Sequence, residues 1–367
     1  EVEDRAWAFR RDRKIGRGTL RSTYVVAYRG FVANQLSSKK AYIRIRVMEE
    51  PVLPATDALP NSQLLRTNIR RFVALAFPGV RVRITIGDFV ADAITDRHGF
   101  ATVQIPAVDL EPGWGHYECQ TMPTDPTEDP VRATGEVLVP DPEAPLGVVS
   151  DVDDTVLRTG MSEGLSAIRN TLLGTAGTRR AIPGMAALYR ELGGAADPCV
   201  SPAFHYVSTG PWNLYDMLVD FLEIRGFPAG PLFLTDWAPQ ERFVVRSGQG
   251  HKLSTLERLF NAYPDTKFIL FGDSGQKDPD TYVEAARRWP DNVTAIVIRD
   301  VGNQLPARTA QLRRQVEEVA EEHISMCLAS DAVDAARFLV GLELLEPASV
   351  EVVREAMGAD TPSIEPS

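Results

Sequence analysis

From Leu146 onward, short runs of apolar residues alternate with amphipathic segments. This alternation constrains the fold more than any other feature of the chain. The runs GVVS, FHYVS, KFILFGDS and VTAIVIRD are interleaved with MAALYREL, LYDMLVDFLEIRG, KLSTLERLFNAY and TYVEAARRW. A strand that is apolar at consecutive positions is buried on both faces, and helical segments between such strands make the crossovers of a parallel sheet. Residues 146–357 therefore predict an α/β domain. In such sheets, active-site groups lie beyond the carboxyl ends of the strands.

The first 140 residues read differently. Residues 24–28, 41–47, 80–86, 89–95 and 100–105 alternate apolar with polar, and Gly87-Asp88 and Arg97-His98-Gly99 punctuate them. Short alternating strands between tight turns predict a smaller, β-sandwich-like domain over residues 1–140. Residues 64–75 are an alternative short helix, and the Pro-rich stretch 121–130 is a loop. Residues 141–145 form a Pro-rich linker between the two domains, and 358–367, GADTPSIEPS, read as a disordered tail.

At 367 residues, with 44% hydrophobic and 24% charged residues, the composition fits two globular domains with sizeable cores. No apolar run has the length of a membrane span, and the charged opening EVEDRAWAFRRDRK has no signal-peptide core. The three cysteines, Cys119, Cys199 and Cys327, are scattered and fit a reduced, cytoplasmic setting. The histidines are scattered too, which argues against zinc. Residues 1–90 hold 17 Lys/Arg and 8 Asp/Glu, a net +9 on a chain of net −11. Such asymmetry raises the expectation of peripheral contact with an anionic membrane. No aromatic interleaving of a nucleic-acid motif accompanies it, so no nucleic acid is expected.

The chemistry concentrates at GVVSDVDDTVLRTG, residues 147–160. Three aspartates, Asp151, Asp153 and Asp154, stand where a buried strand ends. A turn explains one Asp in such a place. Three in four residues repel one another and call for a cation or a reaction. Further polar groups fall at strand ends or helix starts: Ser208 and Thr209, Lys252, Asp273, and Asp278 five residues on. Together they suit phosphoryl transfer. The carboxylates of Asp151 and Asp273, with the main-chain carbonyl of Asp153, form an oxygen set for Mg2+. With charge neutralised, one carboxylate attacks phosphorus and a second moves the proton. Ser208, with Thr209 as a second hydroxyl, and Lys252 would hold the phosphoryl oxygens.

Asp151-Val152-Asp153-Asp154-Thr155 resembles the D-x-D-x-T motif of the haloacid dehalogenase-like phosphatases. The resemblance implies that Asp151 is the nucleophile and Asp153 the acid/base. It also matches Ser208 to the second motif, Lys252 to the third, and Asp273 with Asp278 to the acidic fourth. More narrowly, SDVDDTV, HYVSTGPWNLYD, FPAGPLFLTDW, GHKLSTLERLF and FGDSGQKDPDTY resemble the actin-patch phosphatidate phosphatase family and its bacterial relatives. Tyr28-Arg29-Gly30-Phe31 echoes its N-terminal region, and residues 335–342 give a weaker echo towards the C terminus. Thr209 and Gly210 depart from a small-Ser pair before Pro211-Trp212. This resemblance implies a Rossmann-like, Mg2+-dependent phosphatase converting phosphatidate to diacylglycerol.

Two alternatives accompany that expectation. One is a phosphatase for a soluble phosphometabolite or phosphoprotein; the other is a catalytically silent lipid-binding module. Retention of Asp153, Lys252 and Asp273 argues against silence. His205, inside an apolar run, and His251 are expected outside the catalytic set. Trp212, Tyr215 and Trp237 are candidates for a lipid entrance, though aromatics usually pack in cores. Residues 160–180 carry Met161, Leu165, Ile168, Leu172 and Leu173 on one helical face, which suits either ordinary packing against the sheet or, with the basic Arg179-Arg180 beside it, an amphipathic cap over the site.

Overall fold

The computed structural model describes residues 22–35, 38–50, 74–107, 110–125, 127–141, 144, 146–158, 179–194, 203–235, 248–302 and 306–360. The chain divides into two compact units that part between Pro140 and Asp141.

The N-terminal unit contains β1 (Thr23–Ala27), β2 (Gly30–Gln35), β3 (Ser38–Glu49), β4 (Arg81–Ile86), β5 (Phe89–Ile94), β6 (Phe100–Pro106), β7 (Gly113–Thr121) and β8 (Arg132–Val139). They join in one eight-stranded mixed sheet, ordered β1-β3-β2-β8-β7-β4-β5, with β6 on β3. All the pairings are antiparallel except β2 with β8. Alternation sets which face is buried: Val82, Ile84 and Ile86 point inward while Arg81 is exposed. Ile43, Ile84 and Val137 are wholly buried in one cluster whose residues come almost entirely from the strands. Every strand except β5 contributes buried residues to that cluster, and β5 packs partly buried ones against it. Gly135 lies opposite Tyr117, whose ring fills the place of a side chain there and whose hydroxyl donates to the Tyr28 carbonyl at 2.6 Å. Of the alternative helix at 64–75, residues 64–73 lie outside the described residues. Leu75 and Ala76 are extended, with Ala76 bridged to Met48 and the Leu75 carbonyl bonded by Glu49 N.

The C-terminal unit is α/β. Its strands are β9 (Leu146–Asp151), β10 (Ala203–Pro211), β11 (Leu232–Thr235), β12 (Lys267–Asp273), β13 (Val293–Arg299) and β14 (Met326–Ala329). Its helices are α1 (Met185–Leu192), α2 (Tyr215–Ile224), α3 (Gly248–Ala262), α4 (Asp278–Arg288), α5 (Pro306–Glu321), α6 (Ala332–Gly341) and α7 (Ser349–Asp360). The strands form a fully parallel sheet in the order β11-β10-β9-β12-β13-β14. Consecutive buried residues along β9 and β12 show that both faces are covered. The chain winds outward from β9 in one direction through β10 and β11, then in the other through β12, β13 and β14. Connections leave β9 and β12 on opposite sides, so a crevice opens between their carboxyl ends. Those ends are Asp151 and Asp273. Gly147 is required on β9 because a Cβ there would sit 2.5 Å from the Phe268 ring.

The expected tail starts too early. Gly358, Ala359 and Asp360 complete α7, and the Asp360 carboxylate accepts from Gly184 N at 3.0 Å. Residues 361–367 lie outside the described residues.

Candidate active site

Asp151 ends β9, the strand beside the crevice, and is 1% exposed. The chain then turns back on itself. Val156 N and Leu157 N donate to the Val152 carbonyl, and Asp154 N donates to the Leu157 carbonyl at 2.7 Å. Asp154 takes a left-handed φ of 55° to close this loop, a conformation that Asp tolerates better than most side chains. Thr155, wholly buried, donates to Asp151 Oδ2 at 3.3 Å. Behind the loop, Ser150 Oγ donates to the Asp151 carbonyl at 2.6 Å and meets the buried Tyr189 hydroxyl at 2.7 Å.

Three carboxylates converge. One oxygen each of Asp151, Asp273 and Asp278 lie within 4.8 Å of one another, all buried. Lys252 supplies the balancing cation. Its Nζ stands 2.7 Å from Asp151 Oδ1, a close ion pair without full hydrogen-bond alignment, and it bonds Asp278 Oδ1 directly. The other Asp278 oxygen accepts from Asp273 N at 3.2 Å. Asp278 fits so tightly because residue 272 is glycine: a Cβ there would lie 2.7 Å from both Asp278 Cβ and Oδ2. Asp273 Oδ1 accepts from Gly275 N at 2.7 Å and Gln276 N at 3.0 Å, an Asx-type turn that swings α4 back over the strand end. Pro279 in the first turn and Asp278 with Asp280 at the N-terminus suit that helix start.

Burial drives the Asp151 carboxyl well above the usual range; Lys252 opposes the rise, and the neighbouring aspartates add to it. Burial likewise pushes Asp273 up to about 7, aided by Asp278. Asp153 is raised by burial, against the Ser208 hydrogen bond and the Lys252 charge. Burial alone would lower Lys252, but Asp151 and Asp278 outweigh it and hold the ammonium charged.

The sequence expectations meet this geometry unevenly. Asp151, Lys252, Asp273 and Asp278 come together as a unit. Asp153 does not add its carboxylate to that cluster: its Oδ2 accepts from Ser208 Oγ at 2.8 Å. Its main-chain carbonyl faces the Gln276 amide at 3.4 Å. Ser208 and Thr209 lie in the last residues of β10, just ahead of a helical turn, and Ser208 Oγ accepts from Gly210 N at 2.9 Å. Pro211 precedes the short 3-10 turn Trp212–Leu214 with no side-chain cap. The Thr209 carbonyl accepts from Thr235 Oγ1 at 2.8 Å. Lys252 belongs to the second turn of α3, which starts at Gly248 instead of after His251. Asp278 is the first helical residue, with Lys277 in the capping place.

His205 is wholly buried among Phe233, Tyr263 and Phe268, and burial lowers its pKa to about 4. His251 Nε2 lies 3.4 Å from the Phe233 carbonyl. Trp212 and Tyr215 are buried and stacked on each other. Trp237 and the apolar positions of the expected cap lie outside the described residues. Of residues 160–180 only Arg179 and Arg180 are described, and the Arg180 carbonyl accepts from Arg158 N at 2.9 Å.

Sequence reasoning missed Gln276 and Arg299, and read Arg179 as part of a basic pair beside the segment 160–180 without placing it at the site. Arg179 is 9% exposed and feels the charge of Asp153, with its pKa lowered by burial to about 10. Arg299 ends β13, pairs in register with Asp273 and donates from Nε to the Asp154 carbonyl at 2.5 Å. A charge closing an apolar strand was the available signal, the same one that exposed Asp151.

Residues 146–300 match a family model described as the catalytic domain of phosphatidate phosphatase APP1. The match spans β9 to the end of β13 and contains every carboxylate of the cluster. Phosphatidate phosphatase APP1 of Saccharomyces cerevisiae is 28% identical over 204 residues, covering 54% of this chain and 34% of that protein. An uncharacterized protein of Schizosaccharomyces pombe is 27% identical over 157 residues, covering 42% of this chain and 25% of its own length. The chain thus spans about a third and a quarter of these two relatives. The similarity supports a phosphatase. Among solved structures, a carbohydrate acetylesterase from Xanthomonas citri aligns over 68% of this chain and 71% of its own at 12% identity. Its TM-score of 0.24 is too low to bear on the fold. Among the described residues, no helix is long and apolar enough to cross a membrane.

Proposed function

We propose that the chain is a Mg2+-dependent phosphomonoester hydrolase working through an aspartyl phosphate on Asp151, with phosphatidate as substrate and diacylglycerol as product. The observation that carries the reading is the buried convergence of Asp151, Asp273, Asp278 and Lys252 at the crevice end of a parallel sheet. On this reading the C-terminal unit is a Rossmann-like, haloacid dehalogenase-like domain, and the N-terminal sheet is its sandwich-like companion. The substrate class comes from the similarity to phosphatidate phosphatase APP1. Contact of the basic N-terminal part with an anionic membrane belongs to the same proposal.

The residues fit a magnesium ion. Asp273 Oδ2 is buried and has no hydrogen-bond partner among the described residues, an orphaned anion that a hard cation would satisfy. Asp151, Asp273 and the Asp153 carbonyl would hold it, while Asp278, engaged by Lys252 and Asp273 N, supports the site. Bound there, Mg2+ would neutralise charge so that one anion can approach another. An Asp151 oxygen attacks phosphorus as the bond to the leaving oxygen breaks. Asp153, whose raised pKa suits a proton donor, protonates the departing alkoxide. It then takes a proton from water, whose oxygen attacks phosphorus and releases Asp151 and inorganic phosphate. Lys252 and Ser208 steady the transferring oxygens.

The test is Mg2+-dependent phosphate release from phosphatidate in detergent micelles, beside a soluble aryl phosphate, with Asp153→Asn as control. Release from phosphatidate that vanishes in the variant supports the reading. Release from the aryl ester alone discards the lipid and keeps the chemistry. No metal-dependent release from either overturns the phosphatase reading in favour of a silent lipid-binding module.

A further inference from the structure

We propose that Arg299 is a positioning residue that fixes the acid/base loop to the sheet, setting the height of Asp153 above Asp151. The inference rests on the reading of Asp153 as the acid/base. The loop after β9 closes mainly on itself, through Asp154 N to the Leu157 carbonyl and through two amides on the Val152 carbonyl. Those bonds shape the turn without locating it over the crevice. From outside, Ile182 N holds the Val156 carbonyl at 3.0 Å, Ser208 Oγ holds the Asp153 carboxylate at 2.8 Å, and two consecutive carbonyls are held as well: Asp153 by Gln276 Nε2 at 3.4 Å, Asp154 by Arg299 Nε at 2.5 Å.

Of the two carbonyl ties, the second is short and charge-assisted, the stronger kind of hydrogen bond. Its donor is anchored. Arg299 is in register with Asp273 and Ala329, and its carbonyl accepts from Ser274 N at 2.9 Å. The sheet therefore dictates where the guanidinium can reach. Arg299 lines a small cavity together with Thr155 of the loop and Gly272 of β12. The residue it holds is Asp154, the one with the left-handed φ of 55°. Release of that carbonyl frees the peptide that joins Asp154 to Thr155, and with it the placement of Asp153. A displacement of the order of an ångström at a catalytic group can cost about 100-fold in rate.

The test uses the full chain with Arg299→Ala and Arg299→Lys. Amide hydrogen exchange at Asp154 and Leu157 should accelerate about tenfold or more in Arg299→Ala, with β9 unchanged. On whichever phosphomonoester the wild type hydrolyses, kcat should fall about 10- to 100-fold with KM unchanged. Added guanidinium ion should restore part of the kcat of Arg299→Ala and leave the wild type unaffected. Unchanged exchange at residues 154–157 overturns the proposal, whatever the activity. A loss that appears in KM instead of kcat also overturns it, because Arg299 would then be touching substrate. Should Arg299→Ala fail to fold, the same exchange and kcat criteria are read on Arg299→Lys. A wild type that hydrolyses neither substrate defeats the phosphatase reading, while the exchange data still decide whether Arg299 holds the loop.

Discussion

Replacing Lys252 with Met keeps an unbranched apolar side chain and deletes the charge. The ammonium is 3% exposed, 2.7 Å from Asp151 Oδ1 and bonded to Asp278 Oδ1. Its loss leaves two buried carboxylates facing an empty place, with Asp273 beside them. Stranding a buried charge in this way costs about 3–5 kcal/mol. The folded variant can reduce that cost by binding a proton, because burial already raises Asp151 and Lys252 is what holds it down. A carboxyl whose folded pKa exceeds its unfolded value lends stability that is full below the unfolded value and lost as pH rises through the folded one. The destabilisation should therefore be smallest near pH 5 and grow towards pH 8, by about 1.4 kcal/mol per pH unit for each extra proton held. Urea unfolding of both proteins at pH 5, 6.5 and 8, in chelator, measures it. Lys252→Met with Asp278→Asn should regain part of the loss at pH 8. A penalty that stays flat across this range, or a double variant no better than the single, would refute the electrostatic account and leave Lys252 as packing.

His205 should act in the opposite sense. Burial holds its pKa near 4, against an ordinary 6.5, so the wild type should lose about 3 kcal/mol of stability as pH falls from 6.5 to 4. His205→Phe should flatten that part of the acid limb in thermal melts, and an unchanged slope would place the acid sensitivity elsewhere. Gly272→Ala should displace Asp278 from Lys252, costing about 1–3 kcal/mol by overpacking and abolishing phosphate release. A fully active Gly272→Ala would show that Asp278 has room to move. Saturating Mg2+ should raise the thermal midpoint of the wild type, by about 2.7 kcal/mol of added stability at 100 times Kd. Asp273→Asn should abolish that rise, and a wild type indifferent to Mg2+ counts against the metal reading.

Much of the C-terminal unit was legible because its strands are apolar at consecutive positions, a pattern that few elements other than buried strands produce. Asp151 and Asp273 followed from that pattern, being the charged residues that end such runs. Short strands escaped: β11 and β14 have four residues each, too few to show a period. Lys252 and Ser208 were visible as residues, but their partners were not. Ser208 bonds Asp153 across 55 residues of sequence, and its place within β10 depends on how far the parallel pairing with β11 extends. Asp278 reads from sequence as a supporting residue, yet the Asx-type turn at Asp273 carries it into the centre of the cluster. Arg299 and Asp154 are 145 residues apart and meet only because β13 lies two strands from β9. No local spacing encodes such a contact.

The charge arithmetic of the cluster gives the position of Asp278 its meaning. Three carboxylates share one ammonium within a few ångströms, all withdrawn from water. Fully ionised, the group carries a net charge of −2. Protonation is one answer to that excess; burial already raises Asp151 and Asp273, and the neighbouring carboxylates add to the rise. A divalent cation is the other, and it would match the deficit while leaving the carboxylates charged. Lys252 alone is insufficient, because it is divided between Asp151 and Asp278 and leaves Asp273 Oδ2 with no donor among the described residues. The arrangement thus separates two tasks on neighbouring carboxylates. Asp278 engages the ammonium and, through Asp273 N, the strand end. Asp273 keeps one oxygen bare. A cation entering beside Asp151 would meet that bare oxygen in a site already shaped by Gly272 and the Asx-type turn, and this is why a residue that need not bind metal itself belongs at the centre of the cluster.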